Sequence, residues 1–201
     1  MTVGLSILLV AAAFAIGAIP FGVLVSRAFF GTDLRRSGSG NIGAANALRT
    51  LGKRGAAAVL VLDALKGFVP TLAAGLLAGP VTATAAALAA VAGHCWSPFL
   101  SFRGGKGVAT LFGTLFALWW PAGFAFAIVW IAAVVAAGYA SVGSMLGALA
   151  MAPVLWFGIG TPGLGYGLAA ALLVIARHRE NLGRLAQGTE NRLSVLKANR
   201  T

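Results

Sequence analysis

From Gly107 to Ala176 the chain reads GVATLFGTLFALWWPAGFAFAIVWIAAVVAAGYASVGSMLGALAMAPVLWFGIGTPGLGYGLAAALLVIA, 70 residues without one charged side chain. A surface facing water cannot be built from such a run. An uncharged apolar stretch of about 18 residues suffices to cross a bilayer as a helix, and this run is several times longer. A second uncharged run extends from Met1 to Ser26. Over the whole chain 59% of residues are hydrophobic and 9% are charged, against about 25% charged in an average soluble domain. The pattern predicts an all-α polytopic integral membrane protein forming a single domain, 1–201. It excludes a soluble enzyme, a disordered tail and a secreted disulfide scaffold, since Cys95 has no second cysteine to pair with. Glycine, at 28 of 201 residues, is roughly twice its average share of about 7%, which suits helices packing closely in lipid.

The net charge of +11 is gathered in three islands. The first holds Arg27, Arg35, Arg36, Arg49, Lys53 and Arg54, the second Arg103 and Lys106, and the third Arg177, Arg179, Arg184, Arg192, Lys197 and Arg200. Short loops rich in Lys and Arg stay in the cytoplasm, so all three islands are expected on one side and the helices between them must be even in number. One helix, Val3–Val25, precedes the first island. It has no basic residues ahead of it, which argues against a cleaved signal peptide and for a retained span. Gly79-Pro80 is an expected outer turn between helices Gly55–Ala78 and Val81–Leu100. Within Gly107–Ala176 the breakers fall at Trp119-Trp120-Pro121, at Tyr139–Gly143 and at Gly158–Gly167 with Pro162, which divides the run into four. The expectation is seven transmembrane helices, N-terminus outside and C-terminus cytoplasmic, with five as the alternative. Nucleic acid is not an expected partner, because DNA-binding domains carry their basic residues on a folded polar surface.

Ionisable residues inside an apolar segment mark functional candidates. Asp63 and Lys66, at i and i+3, share a helix face. They read either as a structural ion pair or as part of an anion site. Ser37–Arg49, with Gly38, Gly40 and Gly43, matches G-x-G-x-x-G, but no strand precedes it, so the dinucleotide fingerprint does not apply. What remains is a loop of bare amides with Ser and Asn donors, a plausible phosphate nest. Arg103-Gly104-Gly105-Lys106-Gly107 between two helices is a second compact anion site, or else a flexible turn. It lacks the spacing of a Walker A loop. His178 and Asn181 share a helical face at a membrane exit. Cys95 reads as a small packed hydrophobe. With four acidic residues in the chain, no carboxylate cluster for Mg²⁺ and no Cys/His metal spacing arise. Neither a cofactor nor a metal is therefore expected.

Together the islands resemble the three cytoplasmic motifs of the bacterial acyl-phosphate:glycerol-3-phosphate acyltransferases, the PlsY family. The first resembles Ser39-Gly40-Asn41-Ile42-Gly43-Ala44-Ala45-Asn46 with Arg49, then Asp63, Lys66 and Gly67. The second resembles Gly93-His94, Pro98, Phe99 and Gly104-Gly105-Lys106-Gly107-Val108-Ala109-Thr110. The third resembles His178, Asn181, Arg184-Leu185, Gly188 and Glu190. Two departures are mild: Ala45 stands where the family has Thr or Ser, and Arg103 where Lys is common. The resemblance implies transfer of a fatty acyl group from acyl phosphate to the 1-hydroxyl of glycerol 3-phosphate. Lysophosphatidic acid and phosphate are the products, with no covalent enzyme intermediate. It implies Ser39, Asn41, Arg49, His178 and Asn181 as catalytic residues. Asn46, Lys66, His94, Gly104, Gly105, Lys106, Gly107 and Ser141 become substrate-binding residues, and Asp63 and Glu190 structural ones. The expected setting is the bacterial cytoplasmic (inner) membrane, multi-pass, with the site on the cytoplasmic face. The expected partners are glycerol 3-phosphate, fatty acyl phosphate and the lipid bilayer. The enzyme that forms the acyl phosphate is a candidate partner. The competing readings are a small anion (phosphate) transporter, which would place its site at the midplane on broken helices, and a CDP-alcohol-type phosphotransferase, which would need the missing carboxylates.

Overall fold

A computed structural model describes residues 3–193. Lys197 and Arg200 of the third basic island lie outside the described residues. The described chain is helical: α1 (Val3–Gly17), α2 (Phe21–Phe30), α3 (Ala44–Cys95), α4 (Val108–Leu118), α5 (Trp120–Ala137), α6 (Ala140–Arg177) and α7 (Arg179–Ala186), with 3₁₀ turns at Leu34–Arg36 and Pro98–Leu100.

The first apolar run is not the single helix Val3–Val25 expected from hydropathy. It breaks at Ala18-Ile19-Pro20 and resumes to Phe30. Proline has no N–H to give the preceding turn and pushes the residue before it out of the helical region. The break frees carbonyls that a bilayer would leave unsatisfied, and other elements supply the donors. Ser97 Oγ donates to the Ala18 carbonyl at 2.6 Å, and Lys66 Nζ donates to the Ile19 carbonyl at 2.7 Å.

Helix α3 is interrupted at Gly52 (φ 74°) and Gly79 (φ 80°), and α6 at Ile159-Gly160. The reversal at Gly79-Pro80 gathers Ala74 from one limb of α3 and Ala86 and Ala90 from the other around Ala13 of α1. The expected helix Val81–Leu100 ends early, at Cys95, because Pro98 follows in a 3₁₀ turn. The breaks within Gly107–Ala176 fall at Trp119, at Gly138-Tyr139 and at Ile159-Gly160. Four apolar helical stretches, of 28, 57, 18 and 38 residues, are long and apolar enough to cross a membrane, whereas Val108–Leu118 is shorter.

Backbones approach closely where glycine permits. A side chain at Gly17 would strike the Ala90 carbonyl, and one at Gly113 the Ala64 carbonyl. The main core joins Val91 and Cys95 of α3, Leu111 and Leu115 of α4, Phe126 of α5, and Met151, Leu155 and Val174 of α6. Ile7, Leu76, Ile128, Phe157 and Leu172 face outward, while Asp63, Lys66, His94, His178 and Asn181 are buried. Apolar outside and polar inside is the arrangement lipid selects.

Candidate active site

The loop before α3 is held by Asn46. Its Nδ2 donates to the carbonyls of Leu34, Ser37 and Asn41, and its Oδ1 accepts from the Ser39 amide at 2.9 Å. Asn41 Oδ1 accepts from the Gly43 amide at 2.9 Å. A buried amide group satisfied this fully acts as a knot. Asn46 therefore shapes the loop, and Ser39 and Asn41 form its rim. Arg49, one helical turn further along α3, reaches the Asn191 carbonyl at 3.5 Å.

Asp63 and Lys66 form an ion pair at 2.7 Å, both side chains about 1% exposed. His94 Nδ1 lies 3.7 Å from Asp63 Oδ1. Lys66, expected to meet substrate, points to Asp63 and to the Ile19 carbonyl instead. The broken helix offers that carbonyl, and sequence spacing gives no sign of it.

The Gly104–Gly107 loop differs from the expected cradle of bare amides. Gly104 N–H donates to the Cys95 carbonyl and Gly105 N–H to the His94 carbonyl. Their own carbonyls accept from one guanidinium: Arg177 Nε donates to Gly105 O at 3.1 Å and Arg177 Nη2 to Gly104 O at 3.0 Å. The loop's free donors therefore lie further on, at Lys106 and at the uncapped start of α4, which follows Gly107 in the left-handed region (φ 76°).

Lys106 Nζ donates to Asn181 Oδ1 at 2.5 Å. Asn181 Nδ2 donates to Glu190 Oε1 at 2.6 Å, and the same oxygen accepts from Ser141 Oγ at 2.9 Å. Arg184 Nε donates to Glu190 Oε2 at 2.7 Å. Burial works against the charge of Glu190, but the hydrogen bonds from Asn181, Arg184 and Ser141 outweigh it and hold the carboxyl below its ordinary range. Burial, helped by the Arg184 charge, pulls Lys106 down to about 8. Burial likewise brings His178 down to about 4, so its ring is neutral at pH 7. His178 Nδ1 lies 2.8 Å from the Val174 carbonyl. An acceptor there requires Nδ1 to carry the proton, which leaves Nε2 as a hydrogen-bond acceptor.

These groups meet in one cavity of about 320 Å³. Its polar end holds Ser39, Asn41, Asn46, Arg49, Lys106, Gly107, Ser141, His178, Asn181 and Glu190, with Asp63 and His94 in its wall. Lys66 and Gly105 do not line it, and Gly104 borders a smaller polar recess of about 180 Å³ with Arg177 and Arg179. Three basic islands far apart in sequence thus converge. Sequence reasoning missed Arg177 and Arg184 as site residues, although both stand in the third island. It also missed Phe112, Phe126 and Trp130, which line the apolar end. An aromatic residue on a membrane helix carries the same signal whether it faces lipid or a cavity. Among the described residues no three His, Cys, Asp or Glu side chains gather as a metal site would require.

A sequence model of the glycerol-3-phosphate acyltransferases matches residues 7–188. The chain belongs to the glycerol-3-phosphate acyltransferase family. The family member from Dinoroseobacter shibae is 45% identical over 195 residues, 96% of each chain. That from Thermotoga petrophila is 40% identical over 188 residues, 90% of this chain and 93% of that one. The fold matches the crystal structure of PlsY, an integral membrane glycerol 3-phosphate acyltransferase, in its glycerol 3-phosphate form. The TM-score is 0.90 at 36% identity, covering 98% of this chain and 99% of that one. The lysophosphatidic acid form of PlsY matches with a TM-score of 0.87 at 34% identity, covering 95% and 96%. Family membership accounts for the all-helical membrane fold.

Proposed function

We propose that this protein transfers a fatty acyl group from acyl phosphate to the 1-hydroxyl of glycerol 3-phosphate. One observation carries the reading: a single cavity joins a cationic end, with Arg49, Lys106 and Arg184, to an apolar end lined by Phe112, Phe126 and Trp130. Both substrates are anionic and one bears a lipid tail. Leu60 and Ile131 line the cavity and are 43% and 55% exposed, so the apolar end opens toward lipid and admits the acyl chain from the side.

Acyl phosphate is already activated, so the protein has to position two anions and stabilise the developing oxyanion. Lys106 and the start of α4 hold the glycerol 3-phosphate phosphate. Arg49, Ser39 and Asn41 hold the acyl phosphate and its carbonyl oxygen as that gains charge. His178 Nε2 accepts from the 1-hydroxyl, which Asn181 helps to orient. The hydroxyl oxygen bonds to the acyl carbon, the carbon–oxygen bond to phosphate breaks, and phosphate leaves. An imidazole held near 4 is a weak base, so the hydroxyl proton ends on the departing phosphate. Asp63 and Glu190 serve as scaffold. In this reading seven helices cross the bacterial inner membrane. The site faces the cytoplasm, where the acyl-phosphate-forming enzyme delivers its product. A periplasm-sensitive reporter fused after Ala78 is expected to be active, and a cytoplasmic location there would overturn the topology.

The function is tested with purified protein in lipid, given palmitoyl phosphate and glycerol 3-phosphate in EDTA. Phosphate release that needs both substrates and yields lysophosphatidic acid is the expected result. No release, with acyl-CoA also inactive, would overturn the reading in favour of an anion transporter.

A further inference from the structure

Gly104 and Gly105 spend their backbone groups inside the protein, and so tie the Lys106 loop from both sides. Two amides are bound on one side, by the carbonyls of His94 and Cys95, and two carbonyls on the other, by Arg177. The guanidinium also lies over the Trp96 ring, 5.7 Å from its centre. A planar fork with fixed donors matches two successive carbonyls, whereas an ammonium reaches one at a time. Arg177 ends α6 and immediately precedes His178. The side chain that fixes the Lys106 loop is therefore adjacent in sequence to the residue that faces the attacking hydroxyl. Arg177 itself lines the smaller recess, not the main cavity.

We infer that Arg177 is a positioning residue: by clamping the carbonyls of Gly104 and Gly105 it sets the distance between Lys106 and the His178–Asn181 face, and so the affinity for glycerol 3-phosphate. The inference rests on the acyltransferase reading above. Releasing the clamp frees a loop that contains Gly104, Gly105 and Gly107, and the ordering cost then falls on substrate binding. The effect belongs to one substrate: the acyl phosphate subsite, on the Ser39–Arg49 side, makes none of these bonds.

The test compares wild type, Arg177→Lys and Arg177→Met in lipid. Each has KM measured for both substrates, and hydrogen–deuterium exchange followed over residues 103–108. KM for glycerol 3-phosphate is expected to rise about tenfold in Arg177→Met, since two hydrogen bonds to a charged group are lost. Arg177→Lys should fall between. KM for palmitoyl phosphate should stay within about twofold, and the Gly104 and Gly105 amides should exchange faster. A general loss of folding would lower apparent kcat by reducing the amount of active enzyme and would leave both KM values unchanged. If Arg177→Met does not fold, Arg177→Lys and Trp96→Leu carry the test. An unchanged KM for glycerol 3-phosphate in folded variants, or unchanged exchange at Gly104 and Gly105, overturns the inference. An inactive wild type would overturn the acyltransferase reading instead, and the exchange measurement would still decide whether Arg177 fixes the loop.

Discussion

Replacing Lys106 by methionine is expected to lower kcat/KM by about 10²–10³-fold, the usual consequence of removing one preorganised charge from a partly dry site. Lys106 is suited to such a role because its nearest partner is the neutral Asn181 Oδ1. Among the described residues no carboxylate pairs with it directly, since Glu190 is taken up by Asn181, Ser141 and Arg184. Its charge is therefore available to a phosphate. With burial drawing it to about 8, the ammonium is the charged form through neutrality and is lost as pH rises through that value. The rate profile should accordingly fall on its basic side near pH 8. Lys106→Arg, whose charge persists, should remove that limb. His178, held near 4, should contribute no inflection between pH 5 and 7. Any fall on the acid side belongs to the substrate phosphate, whose second ionisation lies near pH 6. A profile flat to pH 10 in wild type would show that the Lys106 charge is not used.

Removing Asp63 is expected to be the most damaging single change to stability. Asp63→Ala leaves the Lys66 ammonium buried, with the Ile19 carbonyl and the face of the Phe21 ring as remaining company. Breaking one half of a buried pair costs about 3–5 kcal/mol, or a fall of about 10 °C in Tm for a chain of this size. Replacing both charges is gentler, because the desolvation of each is removed together. Asp63→Ala with Lys66→Met should therefore recover much of the loss, although the Ile19 carbonyl then keeps only the Phe21 amide as donor. Cys95 is buried and is the single cysteine of the chain, so a thiol-reactive fluorophore reports unfolding directly. A double variant no more stable than Asp63→Ala would show that the Ile19 bond, not the ion pair, is what Lys66 supplies.

The membrane class and most of the chain reversals were legible in the residues alone. Solvation is a property of each side chain, and 70 uncharged residues have no other solvent than lipid. Gly79-Pro80, Trp119, Gly138-Tyr139 and Ile159-Gly160 break helices through their own backbone preferences or those of their immediate neighbours. The Asp63–Lys66 pair was equally local, being one turn apart on one helix. Most side chains of the polar end were legible too, through three motifs read together. What no local pattern could reveal was the direction in which a group spends its hydrogen bonds. Lys66 turns from the cavity because a carbonyl 47 residues earlier was freed by Pro20. Gly104 and Gly105 present carbonyls, not amides, because His94 and Cys95 lie behind them and Arg177, 72 and 73 residues on, lies before them. The sequence by itself determined a polytopic helical protein with anion-binding chemistry. The tertiary structure decided which donors remain free for the anions, because a buried hydrogen bond is allotted by the partners that packing brings within about 3 Å, wherever in the chain they arise.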